Sequence, residues 1–171
     1  PEIESDIYDY CIASRWQFPD TTLAQRQQQG KLSTWYTCCT EKYPNGFTFS
    51  PPAEHVWMGW YTAAKNMDGY LRWAFNSWPK NPLYDSRFTA WPAGDTYQVY
   101  PGPLTSIRFE KLIEGIQDFE KIRILKEEYK AKGDKKEGKE LEDMLAQFEI
   151  KTLATQTAEE MVLNAKAFLN R

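Results

Sequence analysis

The chain has 171 residues and a mass of 20.0 kDa, the size of one ordinary domain and short of the about 250 residues of a complete (β/α)8 barrel. A formal net charge of -3 and a pI near 5.3 leave no electrostatic footprint for nucleic acid or an anionic membrane. Its apolar runs stop well short of the about 18 residues of a membrane span, and Pro1–Asp6 has neither the basic nor the apolar part of a secretory signal.

Composition divides the chain. Residues 1–105 hold all seven Trp, all ten Pro and 21 of the 26 aromatic side chains, whereas residues 106–171 hold 27 of the 45 charged ones. The first part reads as strands joined by long ordered loops, the second as amphipathic, solvent-facing helices. A β-rich run at 6–14 is followed by a Pro19-Asp20 turn and a helix, capped by Asp20 or Thr21, to about Gln29. A second strand is expected over 31–39, and after a Pro/Gly/Asn loop Val56, Trp57, Trp60, Ala63 and Ala64 share one face of a helix over 54–67. A third strand is expected over 70–78, a long loop over 79–94, and a fourth strand from Thr96 to Tyr100. Ile107, Leu112, Ile116, Phe119, Ile122 and Leu125 then mark a helix to about Lys132. A charged turn at 133–138 precedes helices from Lys139 to about Ile150 and from Thr157 to Leu169. The mixed-sign Lys/Glu run 126–142 reads as a solvated helical face.

Strand, helix, strand, helix, strand, loop, strand, helix implies a parallel sheet with right-handed crossovers. The fold class is α/β. About four parallel strands in series make half of a (β/α)8 TIM-type barrel over 1–105, followed by amphipathic C-terminal helices over 106–171 that pack on the same domain; an open α/β sheet fits the same order. The GxGxxG and GxxxxGK[ST] fingerprints are missing, which gives a nucleotide site little support.

Cys11, Cys38 and Cys39 make no disulfide framework and read as buried thiols. With His55 as the single histidine and no CxxC, HExxH or EF-hand spacing, neither a metal nor another cofactor is expected. In a parallel barrel the chemistry lies at the carboxyl ends of the strands. Alternation on the third strand puts Leu71, Trp73 and Phe75 on one face, expected under helices, and Arg72, Ala74 and Asn76 on the other, expected toward the barrel interior. Gln98 and Tyr100 share a face of the fourth strand, and Tyr36 is a plausible inward residue of the second. Trp and Tyr at strand ends, mixed with Asn, Asp and Arg, suit carbohydrate, whose apolar ring face packs on an aromatic ring. Trp35, Trp57, Trp60 and Trp73 read as core; Trp16, Trp78 and Trp91 flank loops and suit sugar contact or packing equally. Of the acidic residues Glu41, Asp85 and Asp95, and Asp9 early on the first strand, no two make a convincing acid/base pair of the kind glycoside hydrolysis usually takes. Asp95 either orients a substrate or, the preferred reading, ties down its loop by accepting backbone N–H bonds.

The stretches WYTCC (35–39), SPPAEHVWMGWYTAAKNMDGYLRWAFNSWPKNPLYDSRF (50–88), WPAGDTYQVYPG (91–102) and SIRFEKLIEGIQDFEKI (106–122) closely resemble the domain of unknown function 4091. That domain is the C-terminal part of the catalytic barrel in proteins similar to glycoside hydrolase family 123. The likeness covers about residues 31–125. It implies a (β/α)8 barrel usually preceded by a β-sandwich, and β-N-acetylgalactosaminidase activity in which the 2-acetamido carbonyl of the substrate attacks the anomeric carbon. It also implies an adjacent Asp-Glu pair ending the fourth barrel strand, one orienting the acetamide and the other protonating the leaving oxygen. This chain contains no Asp-Glu dipeptide. If its strands are the last four of the barrel, the pair is expected upstream of Pro1, and the chain is a fragment inactive alone that lacks the first barrel half and the sandwich. Tyr36, Arg72, Asn76, Trp78 and Tyr100, with Asp95, then become candidates for holding an N-acetylhexosamine. The resemblance implies a bacterial protein that is secreted, periplasmic or at the cell surface. The rival readings are a non-catalytic carbohydrate-binding domain and a structural fragment that self-associates through its open strand edges.

Overall fold

In the computed structural model, which describes residues 3–102 and 104–170, three strands lie side by side in sequential order and all parallel. They are β1 (Asp9–Ala13), β2 (Leu32–Tyr36) and β3 (Gly69–Leu71). The helices α1 (Asp20–Gln28) and α2 (Ala53–Ala64) make the crossovers. Both pack on one face of the sheet: Leu23 of α1 and Trp57 and Trp60 of α2 share a core with Trp35, and Ile12 and Tyr70 press against it. Side chains alternate along a strand, so Asp9, Cys11, Ala13, Leu32, Thr34, Tyr36, Gly69 and Leu71 lie on the opposite face. There Leu32 and Leu71 stay 37% and 42% exposed.

Helix α2 is the hub. It is largely apolar, as expected of a helix enclosed by other elements, its polar members Glu54, His55 and Thr62 each being hydrogen-bonded, and from Glu54 to Ala63 every residue but Gly59 is buried. Trp35 of β2 donates its indole N–H to Thr62 Oγ1 at 2.8 Å. On the other side Trp60 donates to Asp118 Oδ2 at 2.9 Å and stacks on Phe148 with ring centroids 5.2 Å apart. The long helix α3 (Ile107–Lys132) is capped by Ser106, whose Oγ accepts from the Phe109 N–H at 3.1 Å, and ends at Gly133. It crosses α2 where Gly59 meets Gly115. Helices α4 (Lys135–Leu145) and α5 (Ala158–Leu169) complete the core with Leu141, Leu145, Met161 and Ala165, and a 3-10 segment at Ile150–Ala154 lies between them. Thr157 and Glu160 form a capping box at the start of α5, which removes two unpaired backbone donors at once.

Arg26 of α1 is fully buried. Its guanidinium donates to Glu4 Oε1 at 2.8 Å, Ser33 Oγ at 2.9 Å and the carbonyls of Ile7, Tyr8 and Leu32, so the N-terminal segment, α1 and β2 are fastened through one side chain.

Several expectations need correction. The fourth strand does not form: Thr96 to Tyr100 returns antiparallel onto the segment after β3, with a bridge between Asn76 and Tyr97 and with the Gln98 N–H on the Phe75 carbonyl at 2.8 Å. A parallel neighbour needs a long crossover, usually a helix, and residues 79–94, with Pro79, Pro82 and Pro92, make none. The sheet therefore has three parallel strands among the described residues, not about four. β3 stops at Leu71 instead of Trp78, and its facing is inverted. Leu71, Trp73 and Phe75 are 42%, 45% and 44% exposed, whereas the Arg72 side chain is buried. Trp73 accordingly leaves the expected core, and Cys11, Cys38 and Cys39 are half-buried free thiols. Helix α4 begins four residues before Lys139 because Asp134 caps it, accepting from the Glu137 N–H at 3.2 Å.

Candidate functional site

Beyond the carboxyl ends of the strands the chain builds a buried polar cluster. Arg72, the residue after β3, donates from Nη2 to Asp95 Oδ1 at 2.8 Å and to the Asp95 carbonyl at 2.6 Å. Asp95 is fully buried, and its second oxygen accepts the Trp73 indole N–H at 3.2 Å. Asn45, in the loop after β2, points its Oδ1 at Arg72 Nη1 at 3.4 Å and donates from Nδ2 to the carbonyls of Cys38 and Glu41, both at 2.8 Å. Glu41 in turn accepts from the Cys38 N–H and from Ser14 Oγ after β1. Burial raises the Glu41 carboxyl, but hydrogen bonds from Cys38 and Ser14 outweigh it and hold the group below its usual range. One connected network thus ties the loops that follow all three strands.

A second buried arginine holds this layer to the helices. Arg108 of α3 donates from Nη1 to the carbonyls of Gly46 and Gly94, each at 2.7 Å, and lies over the Tyr97 ring. Gly94 has a φ of +79°, and a Cβ there would come within 2.6 Å of Thr48 and 2.8 Å of Arg108; only glycine meets both the backbone and the space requirement. His55 Nε2 lies 3.0 Å from Gln98 Oε1. Burial pulls the His55 imidazole down to about 4, so the ring is neutral at physiological pH.

Glu54 at the start of α2 accepts the Asn45 N–H at 2.7 Å beside a groove lined by Lys111, Glu114, Glu159 and Lys166. Burial pushes its carboxyl up from 4.5 to about 7 against that hydrogen bond. A carboxyl raised in the folded state binds more protons folded than unfolded, so it costs stability progressively as pH rises from about 4.5 to about 7. With solvent screening at the groove mouth allowed for, the cost is on the order of 2 kcal/mol. Glu54→Gln is therefore expected to be more stable than the native chain at pH 8 and to lose that advantage at pH 5, measured as the difference in urea unfolding midpoints.

Of the residues singled out in the sequence, the structure joins Arg72 and Asp95 directly. Tyr36 lies on the open face of the sheet, between Ala13 and Leu71 in register. Asn76 is exposed and bridges Tyr97. Trp78, 37% exposed, donates its indole N–H to the Val99 carbonyl at 2.7 Å. Tyr100 is half-buried, edge-on to Tyr97 at 5.4 Å. Asp85 forms an exposed pair with Arg87, whose hydrogen bonds draw its carboxyl down to about 2, and Asp9 is bonded to Thr34 across the open face at 2.8 Å. Sequence reasoning misses Asn45 and Arg108, because nothing local marks the contact of Asn45 with Arg72, 27 residues on, or that of Arg108 with Gly46, 62 residues back. Among the described residues no three His, Cys, Asp or Glu groups converge as metal ligands, and no helix is long and apolar enough to cross a membrane.

Comparison with curated proteins gives no match. Among solved structures, a family 123 glycoside hydrolase from Clostridium perfringens, described in work on glycolipid glycan hydrolysis, superposes with a TM-score of 0.78 at 25% sequence identity. The match covers 96% of this chain and 32% of that one, so the present residues span about a third of its length. Residues 2–125 match the glycoside hydrolase 123 catalytic domain. The chain, with its mixed α/β architecture and small parallel sheet, belongs to the glycoside hydrolase 123 catalytic-domain family.

Proposed function

We propose that this chain is the sugar-cradling part of a glycoside hydrolase, the C-terminal half of a (β/α)8 barrel that works with a catalytic Asp-Glu pair carried by other residues of the same protein. The observation that carries the reading is the family match over residues 2–125. The fold supports it. A doubly wound sheet reverses its strand order and places helices on both faces, whereas here the order is sequential and both crossover helices lie on one face, as around a barrel. The open face with Tyr36 would then line the barrel interior, and Asn76, Trp78 and Tyr100 would stand at its mouth. Arg72 and Asp95 would act from behind them. The proposed substrate is a glycan bearing β-linked N-acetylhexosamine, N-acetylgalactosamine first; that the Clostridium relative is described for glycolipid glycan hydrolysis supports a glycan substrate. Hydrolysis would be substrate-assisted, with one carboxylate orienting the acetamide and a Glu protonating the leaving oxygen. No cofactor enters this scheme, and the location that goes with it is secreted, periplasmic or at the cell surface.

The full-length encoded protein is expected to release N-acetylgalactosamine from an aryl β-N-acetylgalactosaminide with retained anomeric configuration, followed by NMR. The 171 residues alone are expected to release none. A full-length protein with an intact Asp-Glu pair that cleaves no β-linked N-acetylhexosaminide overturns the reading.

A further inference from the structure

Four of the seven Trp side chains, Trp16, Trp73, Trp78 and Trp91, are more than a third exposed, and two of these meet. The rings of Trp73 and Trp91 lie 5.4 Å apart at 53°, and the two residues remain 45% and 41% exposed. Neither ring drifts on a loose loop. The Trp73 indole N–H is spent on Asp95 Oδ2, whose carboxylate is fully buried and paired with Arg72, and this fixes the plane of the ring. Trp91 sits on a loop whose turns close through Trp91 N–H to the Phe88 carbonyl and Asp95 N–H to the Pro92 carbonyl, both at 3.0 Å. That loop is pinned from beneath by Arg108 on the Gly94 carbonyl.

The contrast with the core tryptophans is what decides. Trp35, Trp57 and Trp60 also donate their N–H groups, to Thr62, Met161 and Asp118, yet each is at most 1% exposed. Packing explains those three. It does not explain two large apolar rings in contact, that of Trp73, two residues beyond Leu71 of the open face, fastened at its edge by a buried ion pair and that of Trp91 set against it, with their surfaces left exposed. Holding an indole by its N–H while leaving its face accessible is the arrangement that stacks a flat apolar surface, and the C–H face of a pyranose is such a surface.

We propose that Trp73 and Trp91 form a fixed aromatic platform that stacks one pyranose ring of the bound glycan, with Asp95 as the positioning residue that sets the Trp73 plane through its indole N–H. The proposal rests on the glycan-hydrolase reading above. Trp73→Ala and Trp91→Ala in the full-length protein are expected to raise KM for a GalNAc-terminated oligosaccharide about tenfold each, with kcat changed less than threefold. Trp73→Phe, which keeps a ring but has no N–H for Asp95, is expected to fall between native and Ala. A parallel titration follows quenching of Trp fluorescence by the same oligosaccharide. Active protein whose KM and quenching are unchanged in both Ala variants overturns the platform and leaves the hydrolase reading intact. Inactive native protein whose quenching is lost in the Ala variants supports the platform and overturns the hydrolase reading. Native protein with neither turnover nor quenching overturns both. Should Trp73→Ala fail to fold, Trp91→Ala carries the test, since Trp91 lies on a loop outside the core cluster.

Discussion

Gly59→Ala is expected to destabilise the chain by about 2 kcal/mol or more, although alanine is the better helix former. A Cβ at Gly59 would stand 2.1 Å from the Gly115 carbonyl oxygen and 2.6 Å from its carbon, and a Cβ at Gly115 would meet the His55 carbonyl oxygen at 2.8 Å. Every atom in these contacts is backbone, so no rotamer change relieves them and α2 and α3 must move apart. Overpacking of this kind costs about 3 kcal/mol at the upper end of the usual range, against the about 1 kcal/mol that Ala returns in helix propensity. The displacement reaches the rest of the core because α2 also carries Trp57 and Trp60, which pack on Phe148 beyond the crossing. Gly138→Ala in α4 supplies the opposite sign, since its nearest neighbour would be Tyr129 Cβ at 3.8 Å. That variant is expected to gain about 1 kcal/mol. Guanidinium unfolding of the two variants beside the native chain checks both; equal effects would show that helix propensity alone governs these positions.

What could be read from residues alone follows the range of the forces involved. The periodic apolar faces of α2 and α3 and the β-branched and aromatic run of β2 are local signals, and the elements stand about where those signals put them. Trp35, Trp57 and Trp60 were legible as core for the same reason. The antiparallel return of residues 96–100 was not, because YLRWAFNSW alternates equally well whether or not a neighbour pairs with it. Hydrophobicity alone does not decide which side of β3 is buried, so the expected facing is inverted. In fact Tyr70 takes the helix side against Trp35, Arg72 follows it with the same parity, and a buried carboxylate 23 residues away makes that burial possible. The candidate site was therefore legible as a set of residue types at strand ends, and not as a network. Arg72, Asp95, Asn45 and Arg108 acquire their roles only from one another.

The Arg72–Asp95 pair gives the second large effect. Asp95→Ala is expected to cost about 3 kcal/mol, the lower end of what removing one partner of a buried ion pair costs. The lower end applies because Arg72 keeps the Asp95 backbone carbonyl and Asn45 Oδ1 as acceptors, so its charge is not wholly abandoned. Arg72→Met is expected to cost at least as much, since it leaves a fully buried carboxylate with the Trp73 indole N–H as its remaining side-chain donor among the described residues. The double variant removes both charges together and should lose less than the two single losses added, with a coupling of about 2 kcal/mol in the denaturant cycle. Asp95→Asn separates charge from shape. It keeps an acceptor for either Arg72 or Trp73 but removes the charge, and it should fall between native and Asp95→Ala. Additive losses in the cycle would mean that Arg72 and Asp95 stabilise their loops independently, and the orientation of Trp73 would then owe nothing to the ion pair. Coupled losses make the pair the element through which residues 88–95 and the end of β3 hold one geometry.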